Sequence, residues 1–178
     1  MLIIFGGLPG VGKTSIARAL AQKIGAVHLR IDTIEQAILD AGVPPDDDIG
    51  PVGYMVANRQ ATDNLKLGLT VIGDAVNSVE ETRSEWRLAA RRAGKPYVQI
   101  ELICSDPGEH RHRVETRSCD IENLHQPDWD KVLGRHYEPW HGVDLIIDTA
   151  KMTVDQAVDA ICEGINKKNN IQSLVSFS

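Results

Sequence analysis

Short apolar runs and longer amphipathic stretches alternate along this 178-residue chain. The apolar runs are Leu2–Phe5, Ala26–Ile31, Leu69–Ile72, Tyr97–Ile103 and Val143–Ile147, and they predict five strands. Four of them end in glycine or aspartate: Gly6-Gly7, Asp32, Gly73-Asp74 and Asp148. Helical patterns fill the intervals at Thr14–Ile24, Thr33–Ala41, Tyr54–Leu67, Glu80–Ala93, Pro107–Arg117, Asp128–His136 and Val154–Ile165. In the first of these, Ile16, Ala17, Leu20 and Ile24 fall on one face. Ser105-Asp106-Pro107 reads as a helix cap followed by a first-turn proline.

Strand and helix in regular alternation predict a mostly parallel five-stranded sheet covered on both faces, a three-layer α/β/α domain. The chain shows no internal repeat, so residues 1–178 are expected to form one domain. Two connections are long and are expected to carry function. One is Gly42–Gly53, with Pro44-Pro45-Asp46-Asp47-Asp48; the other includes the polar stretch Ser118–Pro127. The polar tail, 166–178, is expected to fray.

Composition changes this picture little. The chain is 42% hydrophobic and 25% charged, with a net charge of −6. That acidic balance disfavours a broad nucleic-acid surface. No apolar run reaches the roughly 20 residues of a membrane span, and the N-terminus has no secretion signal. Cys104, Cys119 and Cys162 form no CxxC pair and read as free thiols, so a cytoplasmic location is expected.

The sharpest motif is Gly7-Leu8-Pro9-Gly10-Val11-Gly12-Lys13-Thr14, followed by Ser15. It fits GxxxxGK[ST] in full and lies between a strand and a helix. Glycines let the backbone turn so that its amides face phosphate oxygens, and the following helix adds its positive end. Lys13 is placed to reach the β and γ phosphates, and the Thr14 hydroxyl to ligate Mg²⁺. The fold is therefore expected to be a P-loop NTPase that takes ATP and Mg²⁺.

Ligands of such sheets sit beyond the carboxyl ends of the strands. Asp32, Asp74 and Asp148 all end strands there. Asp32 admits two roles: base for a phosphoryl acceptor hydroxyl, or cap of a helix starting at Thr33 with Glu35 in the box position. Asp74 is a candidate for the Mg²⁺ site or for a cap, and Asp148 for shaping the loop near the nucleotide base. In His110-Arg111-His112-Arg113-Val114-Glu115-Thr116-Arg117, Arg113 and Arg117 share a helical face. They read either as lid arginines that close on phosphates or as a solvated basic helix paired with Glu109 and Glu115. His110, His112, His136 and His141 lack the spacing of a metal site.

The ordered set Gly7–Ser15, Asp32, Val71 to Asn77, Glu85-Trp86, Arg113/Arg117 and Pro127-Asp128-Trp129 leading to Tyr137 resembles a known group. It is similar to the P-loop kinases related to the 5′-kinase part of polynucleotide kinase, chloramphenicol phosphotransferase and gluconate kinase, and to bacterial AAA-type ATP-binding proteins of that group. The resemblance implies an adenylate-kinase-like core with a lid at about 113–127. It also implies Asp32 as the base, and Arg113 or Arg117 as lid arginines beside Lys13. Polynucleotide kinase carries an arginine one turn beyond the catalytic aspartate, where this chain has Glu35. That departure favours a small hydroxylated acceptor over a nucleic-acid 5′ end, with Tyr54 and Arg59 as candidate pocket residues. Three functions follow in order: a small-molecule kinase, a polynucleotide or nucleoside 5′-hydroxyl kinase, and a nucleotide-dependent switch. An NKxD-type base reader, which a GTPase switch would carry, is absent from the sequence.

Overall fold

The computed structural model describes residues 1–42 and 50–175, with side chains described as far as residue 168. Residues 43–49, the centre of the acidic connection expected to shape an acceptor site, lie outside the described residues. Five strands form one parallel sheet: β1 (Leu2–Gly6), β2 (Val27–Arg30), β3 (Val71–Asp74), β4 (Tyr97–Ile103) and β5 (Leu145–Asp148). Their order is β2-β3-β1-β4-β5. The helices are α1 (Lys13–Ile24), α2 (Ile31–Asp40), α3 (Val52–Lys66), α4 (Glu80–Arg92), α5 (Pro107–Thr116), α6 (Trp129–Leu133) and α7 (Val154–Val175).

β1 is central and apolar on both faces because helices cover both. Side chains alternate across a strand. Ile3 and Phe5 therefore pack with Ile16, Leu20, Val158 and Ile161 of α1 and α7. Leu2 and Ile4 pack with Ala57, Ala61, Trp86 and Ala90 of α3 and α4 on the other side. This is the expected three-layer arrangement.

Three boundaries differ from the sequence pattern in ways that matter. α2 begins at Ile31 rather than Thr33, and Arg30 is its N-cap with no side-chain cap bond. Asp32 thus sits inside the first turn, and its expected capping role is corrected. α6 ends at Leu133, where Gly134 takes over as the C-cap. α7 continues through the polar stretch as far as Val175, so that part of the expected frayed tail is helical. Lys168 anchors it, donating to the Tyr97 carbonyl at 2.9 Å and to Asp144 at 2.7 Å.

The register sets the site. Phe5 pairs with Asp74, and Arg30 pairs with the same residue from the other side. The carboxyl ends of β1, β2 and β3 therefore finish level, under the loop that joins β1 to α1. Among the described residues, no helix is long and apolar enough to cross a membrane.

Candidate functional site

The β1–α1 loop is fixed from three sides. The Gly7 N–H donates to the Val76 carbonyl at 3.1 Å. Gly7 has φ +137, and a Cβ there would lie 2.2 Å from the Leu102 carbonyl oxygen, so only glycine fits. From above, the His110 ring on α5 meets the Pro9 carbonyl at 2.8 Å and packs edge-on against Trp129 at 5.1 Å.

Lys13 opens α1 and is 9% exposed. Its Nζ donates to the Leu8 carbonyl at 3.0 Å, curling back over the loop. Burial pulls its pKa down to about 8, although the negative charges of Asp74 and Asp32 push the other way; Arg117 and Arg135 add to the depression. Two acidic and two basic side chains therefore act on one buried ammonium.

Asp74 is 3% exposed. His28 Nε2 lies 3.1 Å from its carboxylate, and the Thr14 hydroxyl donates to it. Burial would raise its proton affinity, but the His28 hydrogen bond, the Lys13 charge and the Thr14 bond outweigh it and hold the carboxyl below its ordinary value. The result is an ionised carboxylate beside a hydroxyl at the foot of the loop. Two hard oxygen donors of this kind suit Mg²⁺.

Asp32 has a half-exposed side chain, 3.6 Å from Arg30 Nε. Glu35 lies one turn further on α2 and packs onto Gly53 of α3. A Cβ at Gly53 would come within 2.4 Å of Glu35 Cγ, so the missing side chain makes room for the carboxyl. Burial, with the Asp32 charge adding, pushes Glu35 up to about 7, and Arg135 opposes it. Tyr54 is held up mainly by burial, while the Asn77 backbone hydrogen-bonds its hydroxyl; Glu35, Asp32 and Arg135 act on it as well. Tyr54 is thus close to Asp32, Glu35 and Arg135, whereas Arg59 is exposed.

The raised Glu35 has a measurable consequence. Its folded pKa exceeds the unfolded one, so the favourable neutral form is complete below about 4.5 and is lost as pH rises through about 7. Glu35→Gln stays neutral throughout. Its melting temperature should therefore gain on wild type as pH rises from 4.5 to 8, as read by thermal denaturation across that range; a constant gap would show that Glu35 is not held neutral.

The two arginines of the expected lid part company. Arg113 pairs with Glu109 at 2.8 Å and gives its fork to Thr149, with Oγ1 at 2.9 Å and the carbonyl at 3.0 Å. Arg111 pairs with Glu115. Arg117 stands just beyond α5 and donates to the Pro127 carbonyl at 3.1 Å. Its Nε is buried with no hydrogen-bond partner among the described residues, and its charge acts on Lys13. A cleft of about 440 Å³ between α5 and α6 opens beside it, lined by Arg111, Asp128 and Trp129 among others, with Val114 between it and Gly10 of the phosphate loop.

Asp148 accepts from the Ser105 and Ala150 backbone N–H groups at 3.0 and 3.2 Å and pairs with Lys151, so it shapes the turn beyond β5. Asn77 and Trp86 are structural partners. Asn77 donates to the Phe5 carbonyl at 2.6 Å and accepts from Trp86 Nε1 at 3.1 Å. Arg83, which no motif marked, gives Nε to the Asn77 carbonyl and its terminal nitrogens to Ser78, Glu138 and Pro139 carbonyls, all while stacked 4.5 Å from the Trp140 ring. Arg135 is the other omission. It follows Gly134 and carries no motif; only the fold brings its charge to bear on Lys13, Glu35 and Tyr54.

Comparison with known proteins agrees with this architecture. A protein from Chloroflexus aurantiacus solved as a candidate kinase superposes with a TM-score of 0.70 at 21% identity, covering 93% of this chain and 96% of that one. A gluconokinase from Sinorhizobium meliloti gives 0.67 at 17% identity, covering 98% and 96%. The Mycobacterium tuberculosis APS kinase CysC, in complex with AMPPNP and APS, gives 0.64 at 16% identity, covering 93% and 96%. At such identities the likeness is one of fold. No curated protein matches the chain. The profile of one family, described as an AAA domain, matches residues 2–139, from the first strand past the last of the site's arginines. With the phosphate loop at its head and the P-loop kinase architecture around it, the chain belongs to that family.

Proposed function

We propose that the protein is an ATP- and Mg²⁺-dependent phosphotransferase that moves the γ-phosphate of ATP to a hydroxyl of a small molecule: a metabolite, sugar, nucleoside or antibiotic. The observation that carries this reading is the convergence on Lys13. The buried phosphate-loop lysine feels Asp32, Asp74, Arg117 and Arg135 together, from different elements. This supports a donor site with a candidate proton-accepting carboxylate near it. The neighbours solved as a gluconokinase and as an APS kinase support the same reading.

In the proposed reaction the acceptor O–H gives its proton to Asp32 as its oxygen bonds to the γ-phosphorus. The bond from that phosphorus to the bridging oxygen breaks, and ADP leaves. The backbone of Gly7 to Ser15 cradles the phosphates, and Lys13 and Arg117 balance their charge. Arg113 joins them only by leaving Thr149. Thr14 and Asp74 would hold Mg²⁺, which when bound neutralises phosphate charge. Glu35 and Tyr54 border the acceptor side with one acidic and one phenolic group, which suits hydroxyl recognition better than phosphate binding.

A γ-labelled ATP screen over sugars, nucleosides, antibiotics and a 5′-hydroxyl oligonucleotide tests this. Label on a small molecule is the expected result. Label only on the oligonucleotide, with a steep salt dependence, would move the assignment to a 5′-hydroxyl kinase. Hydrolysis with no labelled acceptor would sink the phosphotransferase reading.

The pKa of Lys13 gives an independent check on the donor half. At about 8 in the free protein, it should rise when a phosphate anion replaces the Leu8 carbonyl. ATP binding should then take up a proton near pH 8–9, and affinity should weaken by up to about tenfold per pH unit above 8. Calorimetry in buffers of differing ionisation heat measures that uptake. Binding without proton uptake would show that Lys13 does not meet the phosphates.

A further inference from the structure

Arg30 stands between two carboxylates, Asp120 and Asp32. Its side chain is only 10% exposed. Nη1 donates to both oxygens of Asp120, at 2.9 and 3.1 Å, and Arg18 of α1 pairs with the same carboxylate. On the other side, Asp32 lies 3.6 Å from Nε, beyond hydrogen-bond reach. That Nε–H is buried and has no hydrogen-bond partner among the described residues. A buried donor left unpaired is costly, and here the acceptor that would satisfy it is within a small side-chain rotation. The guanidinium is committed instead through Nη1, which is shared between both Asp120 oxygens.

We propose that Asp120 is a positioning residue that holds Arg30 at ion-pair distance from Asp32 and keeps it from hydrogen-bonding that carboxylate, which leaves the Asp32 lone pairs open to the proton of the acceptor hydroxyl. A carboxylate already taking a charge-assisted hydrogen bond from an arginine is a poorer proton acceptor. Asp120 lies on the segment that follows Arg117 and ends at Pro127, whose carbonyl Arg117 engages. The same segment therefore ties down Arg117 at one end and Arg30 through Asp120. The catalytic consequence rests on the phosphotransferase reading; the geometry does not.

Lys13 of α1, Arg30 at the end of β2, Glu35 of α2, Tyr54 of α3 and Arg117 beyond α5 all act on Asp32. None changes chemically when Asp120 alone is altered. The segment keeps its other ties, Arg117 to Pro127 and Asn123 to Asp40 at 3.4 Å. Asp120 is itself nearly half exposed, so its substitution spares the core.

The test is a carboxyl ¹³C titration of Asp32 in wild type, Asp120→Asn, Arg30→Gln and the double variant. In Asp120→Asn the Asp32 midpoint should fall by about one pH unit, as Arg30 closes on it. Removing the Asp120 charge also acts through space, so the decisive comparison is in the Arg30→Gln background, where at least half of that fall should vanish. No fall, or the same fall without Arg30, overturns the proposal. The Arg30 Nε–H signal decides the matter even if Arg30→Gln does not fold. In Asp120→Asn it should move downfield and exchange more slowly with water, and an unchanged signal is contrary. Turnover should drop about tenfold in Asp120→Asn at unchanged KM for ATP. The titration needs no turnover, so its result stands apart from whether Asp32 is the base in a transfer reaction.

Discussion

Asp32→Asn should lower phosphoryl transfer by about 10³-fold while ATP binds as before. The substitution is nearly isosteric and removes only the ability to take a proton. The structure strengthens this expectation by disposing of the competing role. Had Asp32 capped α2, its loss would cost stability, about 1 kcal/mol, and activity would fall with the fold. Instead α2 starts at Ile31, its N-cap Arg30 has no side-chain cap bond, and Asp32 sits in the first turn with a half-exposed side chain. The asparagine also leaves Arg30 held by Asp120. Melting temperature and ATP affinity should therefore match wild type, and the whole effect should fall on turnover. Retention of more than a tenth of the transfer rate would remove Asp32 as base and shift attention to Glu35, the nearest carboxyl on the same helix.

The difference between Asp32 and Glu35 is one of surroundings. Both are carboxyls on α2, three residues apart, and sequence alone ranks them only by position after the strand. In the folded protein Asp32 reaches solvent beside Arg30, whereas Glu35 is tucked against Gly53 and held towards neutrality at pH 7. A neutral acid donates hydrogen bonds and an ionised one accepts protons, so the two groups suit different tasks at one acceptor.

What the sequence made legible was local. A strand, a glycine-rich turn, a lysine and a threonine lie in one continuous stretch, so Lys13, Thr14 and the loop could be placed from spacing alone. The five strands and most helix edges followed from periodicity for the same reason. The missing parts depend on long-range contacts. Arg30 meets Asp120 across 90 residues, and Arg83 meets the Glu138 carbonyl across 55. Nothing in the residue types near either partner encodes such a pairing. Arg113 and Arg117 illustrate the limit of helical spacing. Four apart, they share a face in principle, but α5 stops at Thr116, so Arg117 leaves the helix while Arg113 stays and is captured by Thr149. The strand order was also hidden, since alternation of β and α dictates a parallel sheet without saying which strand lies centrally.

Lys13→Met should reduce transfer by about 10³-fold and weaken ATP binding, without destabilising the protein. Removing one preorganised donor from a developing phosphate charge is worth about 10²–10³-fold in turnover, and Lys13 also contributes to ground-state binding. Stability should move the other way. Burial already strains this ammonium enough to bring it to about 8, and its hydrogen bond among the described residues returns to the Leu8 carbonyl in its own loop. Methionine keeps the length, relieves that desolvation, and leaves Asp74 still held by His28 and Thr14. The melting temperature should stay level or rise, and Asp74 should become somewhat easier to protonate because one of the charges holding its carboxyl down has gone. A variant that loses transfer together with several degrees of melting temperature would mean that Lys13 holds the loop together, and that the catalytic reading of the loss is unsafe. Intact stability with lost transfer, and lost proton uptake on ATP binding, would put the lysine at the phosphates.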